Sequence, residues 1–305
     1  FRGLVLIRNN ENLGFVKAVN QGIAVSGENY ILVLNNDTIL TEGWLAEMVD
    51  VMERDARLGL LNPSSNTSGQ FPKDLSIDDY AKTLTGYKGQ AQELYNARGF
   101  CMLVRREVID KLGPFDEIYH MGYFDDTDYC KRAQGLGYRT ARAKAAYVYH
   151  RENKSFALRE DNSELFRKNE EIFFSRWGRH LRIGYFIRDC RDDSIRRKVD
   201  ELATDVARSG HQISIFLKKN AAWPVRLDHF DIRKNELNGG MFTLVSIYKI
   251  LSRRKKKMLH ALVTEDALLG SLLEKLKFAH KARVFVKPNV GSVLEFLKIR
   301  SKTRG

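Results

Sequence analysis

The sequence has 305 residues, a net charge of +13, 43% hydrophobic residues and 29% charged residues, a balance that excludes a disordered chain. No apolar run approaches the roughly 18 residues that a membrane-spanning helix needs, and the length favours two domains over one. Three cysteines without a Cys-x-x-Cys pair argue against a zinc site or a disulfide framework, and the first residues lack a signal-peptide pattern, so we expect a cytoplasmic protein with reduced thiols.

The first part of the chain alternates strand-like apolar runs with helical patterns, which predicts an α/β domain. In chain order, the pattern predicts strands at 4–7, 30–34, 58–61, 99–104 and 147–150, and helices at 15–23, 44–52, 106–112, 125–136 and 163–178. We expect Asn62-Pro63 to stop the third strand and the polar segment 64–70 to form a long surface loop.

A change of composition near residue 180 predicts a domain boundary. Residues 1–180 hold 24 Lys/Arg and 25 Asp/Glu, a net charge of −1, whereas residues 181–305 hold 27 and 13, a net charge of +14. The α/β alternation then restarts, with strands predicted at 183–187, 213–217, 258–262 and 284–286 and helices at 194–208, 244–251 and 267–276. The second domain, residues 181–305, is therefore predicted to be a parallel α/β layer.

Polar residues follow two predicted strands of the first domain, where open α/β sheets bind ligands. Asp37 ends the run Asn35-Asn36-Asp37 after strand 30–34, where a carboxylate could hold a divalent cation against a diphosphate; a plain polar turn explains the same residues. His150 closes strand 147–150, and a structural role is its common alternative. Both residues are candidate ligands.

Three carboxylates open the predicted helix 125–136. Capping of the helix dipole explains acidic residues in a first turn, but three within four residues repel one another and need a cation, a donor or solvent nearby. The spacing of three places Asp125 and Asp128 on one side of the helix and turns Asp126 towards a different neighbour. The cluster is therefore a candidate catalytic site.

The motifs of residues 1–155 occur in a particular order and spacing. They are Asn12-Leu13-Gly14-Phe15, Asn20-Gln21-Gly22, the run 34–38, Gly99, the run 113–117, the run 125–128, Arg132, Gly137-Tyr138 and His150. This order resembles bacterial family 2 glycosyltransferases, and most of all their rhamnosyltransferase-like branch with the GT-A fold, a Rossmann-like α/β domain.

The resemblance implies an inverting, metal-dependent transfer of a sugar from a nucleotide-diphosphate donor to a glycan or a polyprenyl-linked glycan. It implies that Asp37 binds Mg²⁺ or Mn²⁺ with His150 as a further ligand, and that Asp126 is the general base. Asp125 would orient the acceptor beside Gly99. The positions that match the donor side are Asn12, Asn20, Asn35 and Asp37, with Asn35 standing where the family usually has an Asp.

Two further features of the chain follow from the same comparison. Family members open with a strand, a helix and an Asp-containing turn that bind the nucleotide base, and this chain starts after them, so we expect an N-terminally incomplete domain with little or no turnover of its own. Residues 201–213 faintly resemble the N-terminal half of GT-B glycosyltransferases, but Arg188–Arg191 replaces the usual glycine-rich turn. A generic α/β domain is the alternative for residues 181–305.

The run Arg253–Lys257 contains five consecutive cations. A solvated helix end explains it, yet it could also hold the protein peripherally on anionic lipid at the inner membrane face, where polyprenyl-linked acceptors lie. Two other classes of function compete with an enzyme: a non-catalytic glycan-binding or scaffold module, and a basic nucleic-acid-binding protein. The second is disfavoured because the sequence has no recognised nucleic-acid-binding motif, so we expect no nucleic-acid partner.

Overall fold

The computed structural model describes residues 3–151, 162–253 and 258–303. The chain divides into two compact units, Phe1–Arg176 and Trp177–Gly305, close to the boundary that composition predicts near residue 180. Within the described ranges, no helix has the length and apolar character needed to cross a membrane. The three cysteines are buried free thiols, as expected.

The first unit is built on a mixed sheet flanked by helices. Its strands are β1 (Tyr30–Leu34), β2 (Thr38–Leu40), β3 (Leu58–Ser64), β4 (Ala91–Leu94), β5 (Cys101–Arg105) and β6 (Arg139–His150). Its helices are α1 (Phe15–Ala24), α2 (Trp44–Glu53), α3 (Ile77–Thr83), α4 (Arg106–Leu112), α5 (Asp125–Gly135) and α6 (Asn162–Trp177). The strand order is β1-β5-β3-β6-β2, with β4 also paired to β6. Strands β3 and β6 run parallel, whereas the other neighbours are antiparallel.

The second unit has a five-stranded parallel sheet. Its strands are β7 (Arg182–Ile187), β8 (Gln212–Lys218), β9 (Ile232–Leu237), β10 (Ala261–Thr264) and β11 (Arg283–Val286). Its helices are α7 (Asp193–Arg208), α8 (Phe242–Leu251), α9 (Ala267–Lys275), α10 (Lys277–His280) and α11 (Val290–Lys302). Read from the other edge, the order β9-β8-β7-β10-β11 is 3-2-1-4-5, which matches the first five strands of a Rossmann sheet with its switch point between β7 and β10. This confirms the predicted parallel α/β layer.

Both cores follow from helical stripes that pack on these sheets. In the first unit, α2 buries Met48 and Val51 against sheet residues that include Leu61 and Leu103. In the second unit, α7 buries Val199, Leu202, Ala203 and Val206 against strands β7 and β8, and the spacing of these residues in the sequence predicts them on one buried stripe. The spacing of three and four residues thus identified the buried face of each helix correctly.

Several local expectations were wrong. The segment 4–7 is not a strand, and Leu4 is 74% exposed, because no strand of the described residues pairs with it. Strand β3 continues through Pro63, which lies in register with Ala143 of β6 before the pairing shifts at Ser64. The segment 64–70 is not a surface loop, since Ser64, Ser65 and Asn66 are buried. The spacing of Tyr129, Ala133 and Leu136 predicts one inner face for α5, but Leu136 is exposed.

Candidate active site

Asp37 and His150 meet because a two-strand ladder places them side by side. The Asn35 amide donates to the Phe100 carbonyl oxygen at 2.8 Å, a turn follows, and β2 then begins at Thr38. Thr38 lies opposite His150 in the antiparallel register of β2 and β6. The His150 Nε2 atom is 3.2 Å from Asp37 Oδ1, and both side chains are largely buried, at 14% and 13% exposure. The structure therefore brings the two predicted metal ligands together.

The position of His150 is fixed from two directions. The Asn66 side chain accepts from the His150 amide at 2.8 Å and donates to the His150 carbonyl oxygen at 2.7 Å. The His150 ring stacks on Phe100, with ring centroids 4.9 Å apart and planes 16° from parallel. The Asn35 Nδ2 atom lies 3.5 Å from His150 Nε2. These contacts hold the imidazole against Asp37.

The pair has the chemistry of a partial metal site. Two ligands at right angles on an octahedral ion with bonds of about 2.1 Å are separated by about 3.0 Å, close to the observed Asp37–His150 distance. Asp37 Oδ2 is buried without a hydrogen-bond partner among the described residues. Over these ranges, no three His, Cys, Asp or Glu side chains lie close enough to hold a metal ion by themselves. The pair fits an ion that takes its other ligands from phosphate and water.

Asp126 contacts the segment Gly99-Phe100, which also contacts His150. Its Oδ2 atom accepts from the Gly99 amide at 2.9 Å, and its Oδ1 atom accepts from the Thr127 amide at 2.6 Å. Phe100, the next residue, carries the ring that stacks on His150. Asp126 and the Asp37–His150 pair are therefore attached to consecutive residues of one segment. That the three side chains serve one reaction stays a prediction.

Burial raises the pKa of both carboxyl groups at the start of α5, those of Asp125 and Asp126. Burial raises the pKa of Asp126, and hydrogen bonds from Gly99 and Thr127 act against that rise. Burial also raises the pKa of Asp125 well above its usual range, and the charge of neighbouring Asp126 adds to it. The Asp125 Oδ2 atom is buried with no hydrogen-bond partner among the described residues. Raised pKa values of this kind are typical of sites that exchange protons.

We predict that Asp125→Asn stabilises the first unit at neutral pH. Because the folded-state pKa of Asp125 lies above its unfolded value, the stability of the wild-type protein falls as pH rises from the ordinary Asp pKa towards the raised one. Removing the carboxyl should raise Tm at pH 7 by roughly 2–4 °C, the shift that about 1 kcal/mol produces in a domain of this size. Calorimetry at pH 4 and pH 7, with exposed Asp110→Asn as the control, tests this; an equal gain at both pH values would contradict it.

Asp128 has a structural role in this arrangement. Its carboxylate accepts from the Tyr119 hydroxyl at 3.2 Å and forms ion pairs with Arg132 at 3.0 Å and Arg176 at 2.8 Å. Arg176 also pairs with Asp116 at 2.9 Å. Asp125 is thus buried, Asp126 faces Gly99, and Asp128 anchors α5. This agrees with the prediction that Asp126 faces a different neighbour from Asp125 and Asp128.

The turn that leads into α5 has a strained backbone. Gly122, Tyr123 and Phe124 have consecutive φ angles of 125°, 69° and 67°. For a residue other than glycine, such an angle costs on the order of 1–3 kcal/mol and persists only where the surroundings enforce it. This strain lies directly before Asp125 and Asp126, so the turn determines where their carboxylates point.

Two other predicted donor-side residues have backbone partners. The Asn12 side chain accepts from the Gly14 amide at 2.9 Å. Gly14 has a φ of 84°, and a Cβ there would lie 2.9 Å from the Met121 Cα atom, so only glycine fits. The Asn20 amide group accepts from the Phe115 amide at 2.9 Å and donates to the Phe115 carbonyl oxygen at 3.0 Å. Asn20 therefore holds the loop before α5, and a contact with a donor stays a prediction for both asparagines.

Residues that support the site were missed by the sequence analysis. Asn66 clamps the backbone of His150, Phe100 stacks on its ring, and Asn169 binds the strained turn before α5. The sequence predicts Asn66 in a surface loop, and the helix pattern at 163–178 gives no role to Asn169. No local pattern identifies an amide side chain that binds a backbone distant in sequence.

Comparison with known proteins relates the chain to carbohydrate enzymes. Residues 1–113 match the family model described as Glycosyl transferase family 2. The N-acetylglucosaminyl-diphospho-decaprenol L-rhamnosyltransferase of Mycobacterium tuberculosis is 26% identical over 57% of this chain and 67% of its own length. The uncharacterized protein y4gI of Sinorhizobium fredii is 23% identical over 59% of this chain, but the match covers 22% of y4gI.

Among solved structures, the mannosyltransferase PcManGT from Pyrobaculum calidifontis, in complex with GDP-Man and Mn2+, aligns with a TM-score of 0.39 and 17% identity. The alignment covers 55% of this chain and 46% of that one.

Proposed function

Because residues 1–113 match the model of glycosyl transferase family 2, we propose that this protein transfers a sugar from a nucleotide-diphosphate donor to a hydroxyl of a glycan or lipid-linked glycan. The transfer proceeds with inversion and requires a divalent cation. The observation that carries the proposal is the attachment of Asp126 and the Asp37–His150 pair to the consecutive residues Gly99 and Phe100. The direct test is release of nucleoside diphosphate from a panel of nucleotide sugars by the full-length protein.

Asp126 is the general base of the proposed reaction. A sugar hydroxyl is a weak nucleophile at neutral pH, and a positioned carboxylate that takes its proton typically accelerates attack by about 10² to 10⁴. The acceptor oxygen forms a bond to the anomeric carbon while the bond to the diphosphate oxygen breaks, and the proton moves to Asp126. A single displacement with one base inverts the configuration. Burial supports this role, because it raises the pKa of Asp126 and makes the carboxylate more basic.

Asp37 and His150 would hold Mg²⁺ or Mn²⁺ against the donor phosphates. When bound, the cation neutralises the negative charge that builds on the departing diphosphate. A histidine ligand favours Mn²⁺ over Mg²⁺. Asn35 lies beside His150 and offers an amide to ribose or phosphate, and Asn12 lies on the same predicted donor side. Gly99 and Asp125 are the proposed acceptor contacts next to the base.

The proposed acceptor is linked to a polyprenyl carrier. The relative from Mycobacterium tuberculosis is by name a transferase that acts on a decaprenol-linked sugar, which supports this acceptor class and a role in cell-envelope polysaccharide synthesis. Such acceptors lie at a membrane surface, so the protein would work as a cytoplasmic enzyme with peripheral membrane contact. The basic run 253–257 is the candidate contact, although residues 254–257 lie outside the described ranges.

We predict that the protein floats with liposomes that contain anionic lipid and remains unbound to neutral ones. Each cation near such a surface contributes about 1 kcal/mol, and salt screens the attraction. Replacement of residues 253–257 by glutamine should therefore abolish flotation, as should raised salt. A control variant with five glutamines in place of exposed lysines elsewhere in the second unit should still float. Equal flotation of the 253–257 variant would exclude this contact.

A further inference from the structure

One stripe of side chains on helix α6 packs against residues 116–128, the segment that contains the candidate base Asp126. The stripe consists of Phe166, Asn169, Phe173 and Arg176, which recur every three or four residues and so lie on one helix face. Phe166 and Phe173 each have ring centroids 5.3 Å from that of Phe124. Arg176 pairs with Asp116 and Asp128. The partners named here all lie within residues 116–128.

Asn169 is the polar centre of the stripe and is completely buried. Its Nδ2 atom donates to the Tyr119 carbonyl oxygen at 2.9 Å and to the Gly122 carbonyl oxygen at 2.7 Å. The Tyr123 carbonyl oxygen lies 3.4 Å away. The Tyr119 carbonyl oxygen also accepts from the Gly122 amide at 3.1 Å, so Asn169 adds a second donor there and supplies a donor to the Gly122 carbonyl oxygen. A buried carbonyl left without such a donor is strongly disfavoured.

The turn that Asn169 binds is the strained one. Gly122 and Tyr123, whose carbonyl oxygens face Asn169, are two of the three consecutive residues with positive φ. The third, Phe124, is the residue before the helix, and its carbonyl oxygen accepts from the Asp128 amide at 2.8 Å to start α5. The angle at which α5 leaves this turn decides whether Asp126 or a neighbouring side chain meets the Gly99 amide.

We propose that Asn169 is a positioning residue that fixes the α5 N-terminus so that the Asp126 carboxylate points at Gly99 and the acceptor. The inference rests on the proposed role of Asp126 as base. Arg176 supports the other face of the helix through Asp128, so it secures α5 without setting the turn. Asn169 alone among these contacts binds the carbonyls of the residues with positive φ. Loss of the Asn169 side chain would release the turn at residues 122–124, while the contacts of Phe166 and Phe173 with Phe124 keep α6 packed against the start of α5.

The test compares Asn169→Ala with Lys168→Ala, a change at the neighbouring exposed position of the same helix. We expect Asn169→Ala to lower kcat at least about tenfold with the donor KM changed less than about threefold, since misplacing a base affects the chemical step. Hydrogen exchange should become about tenfold faster for amides of residues 119–128 and for Gly99, and stay unchanged in the second unit. Lys168→Ala should behave as wild type in both assays.

The exchange measurement does not depend on turnover, so it separates the two proposals. Unchanged exchange at Gly99 and in residues 119–128 of folded Asn169→Ala would overturn the positioning role. Full turnover of an Asp126→Asn variant would instead overturn the role of Asp126, whatever the exchange data show. If alanine unfolds the first unit, Asn169→Ser keeps a donor with a shorter reach and should give the same pattern with a smaller amplitude.

Discussion

Replacing Asp126 with Asn is expected to lower kcat by about 10² to 10⁴, the range that a general base contributes, while donor binding stays within about threefold of wild type. The amide has almost the shape of the carboxylate, and its single oxygen can accept from one of the two backbone amides, Gly99 or Thr127, that now bond to separate oxygens of Asp126. It cannot take a proton from the acceptor. The fold and the donor contacts should therefore survive while the chemical step fails.

The measurement is nucleoside diphosphate release at saturating donor and acceptor, together with donor affinity by calorimetry. Asp110→Asn removes a carboxyl from an exposed position of α4 and is the matched control, which should leave kcat and donor affinity unchanged. If the protein is a non-catalytic glycan-binding module, both variants should keep the binding affinity of the wild type. If Asp126→Asn keeps wild-type kcat, another residue is the base. If it loses donor affinity and turnover together, Asp126 binds the donor and is not a base.

The elements of this fold were largely readable from the sequence because their buried faces have a clear period. Helices α2 and α4 and strand β1 begin at the residues that the apolar patterns predict, and α7 buries the predicted stripe. Strand β3 was cut short at Pro63 because proline normally ends a strand, whereas a parallel neighbour and a local register shift tolerate it here. The short strands β2 and β4 and the strand β9 carry too little apolar alternation to be recognised.

Some residues of the candidate site could be predicted from the sequence and others could not. Asp37, Asp126 and His150 could be singled out because carboxylates and a histidine stand at strand ends or open a helix, where α/β sheets place ligands. Asn66 and Asn169 could not, because an asparagine that binds a backbone 84 or 47 residues away has no local signature. The positive φ of Tyr123 and Phe124 is likewise invisible in the sequence, since aromatic residues rarely adopt it.

Chelation of divalent cations is expected to abolish turnover, and Asp37→Asn is expected to lower kcat/KM by about 10² to 10³, the loss typical of one electrostatic contact to the transition state. Asp37 Oδ2 is buried without a hydrogen-bond partner among the described residues, and a carboxylate oxygen is a ligand that Mg²⁺ and Mn²⁺ take readily. Asp50→Asn, at an exposed carboxylate of α2, is the control and should leave kcat/KM unchanged.

Metal binding can be measured apart from catalysis by electron paramagnetic resonance of Mn²⁺ in the presence of inorganic pyrophosphate. Wild-type protein should bind the ion, whereas Asp37→Asn should bind it at least about tenfold more weakly. His150→Phe keeps the ring stacked on Phe100 and removes both ring nitrogens, so it separates ligation from packing. If His150→Phe binds Mn²⁺ as tightly as wild type, His150 orients Asp37 and is not a ligand. If Asp37→Asn also binds it unchanged, the ion lies elsewhere, because an amide that replaces a carboxylate ligand cannot hold a divalent cation with the same affinity.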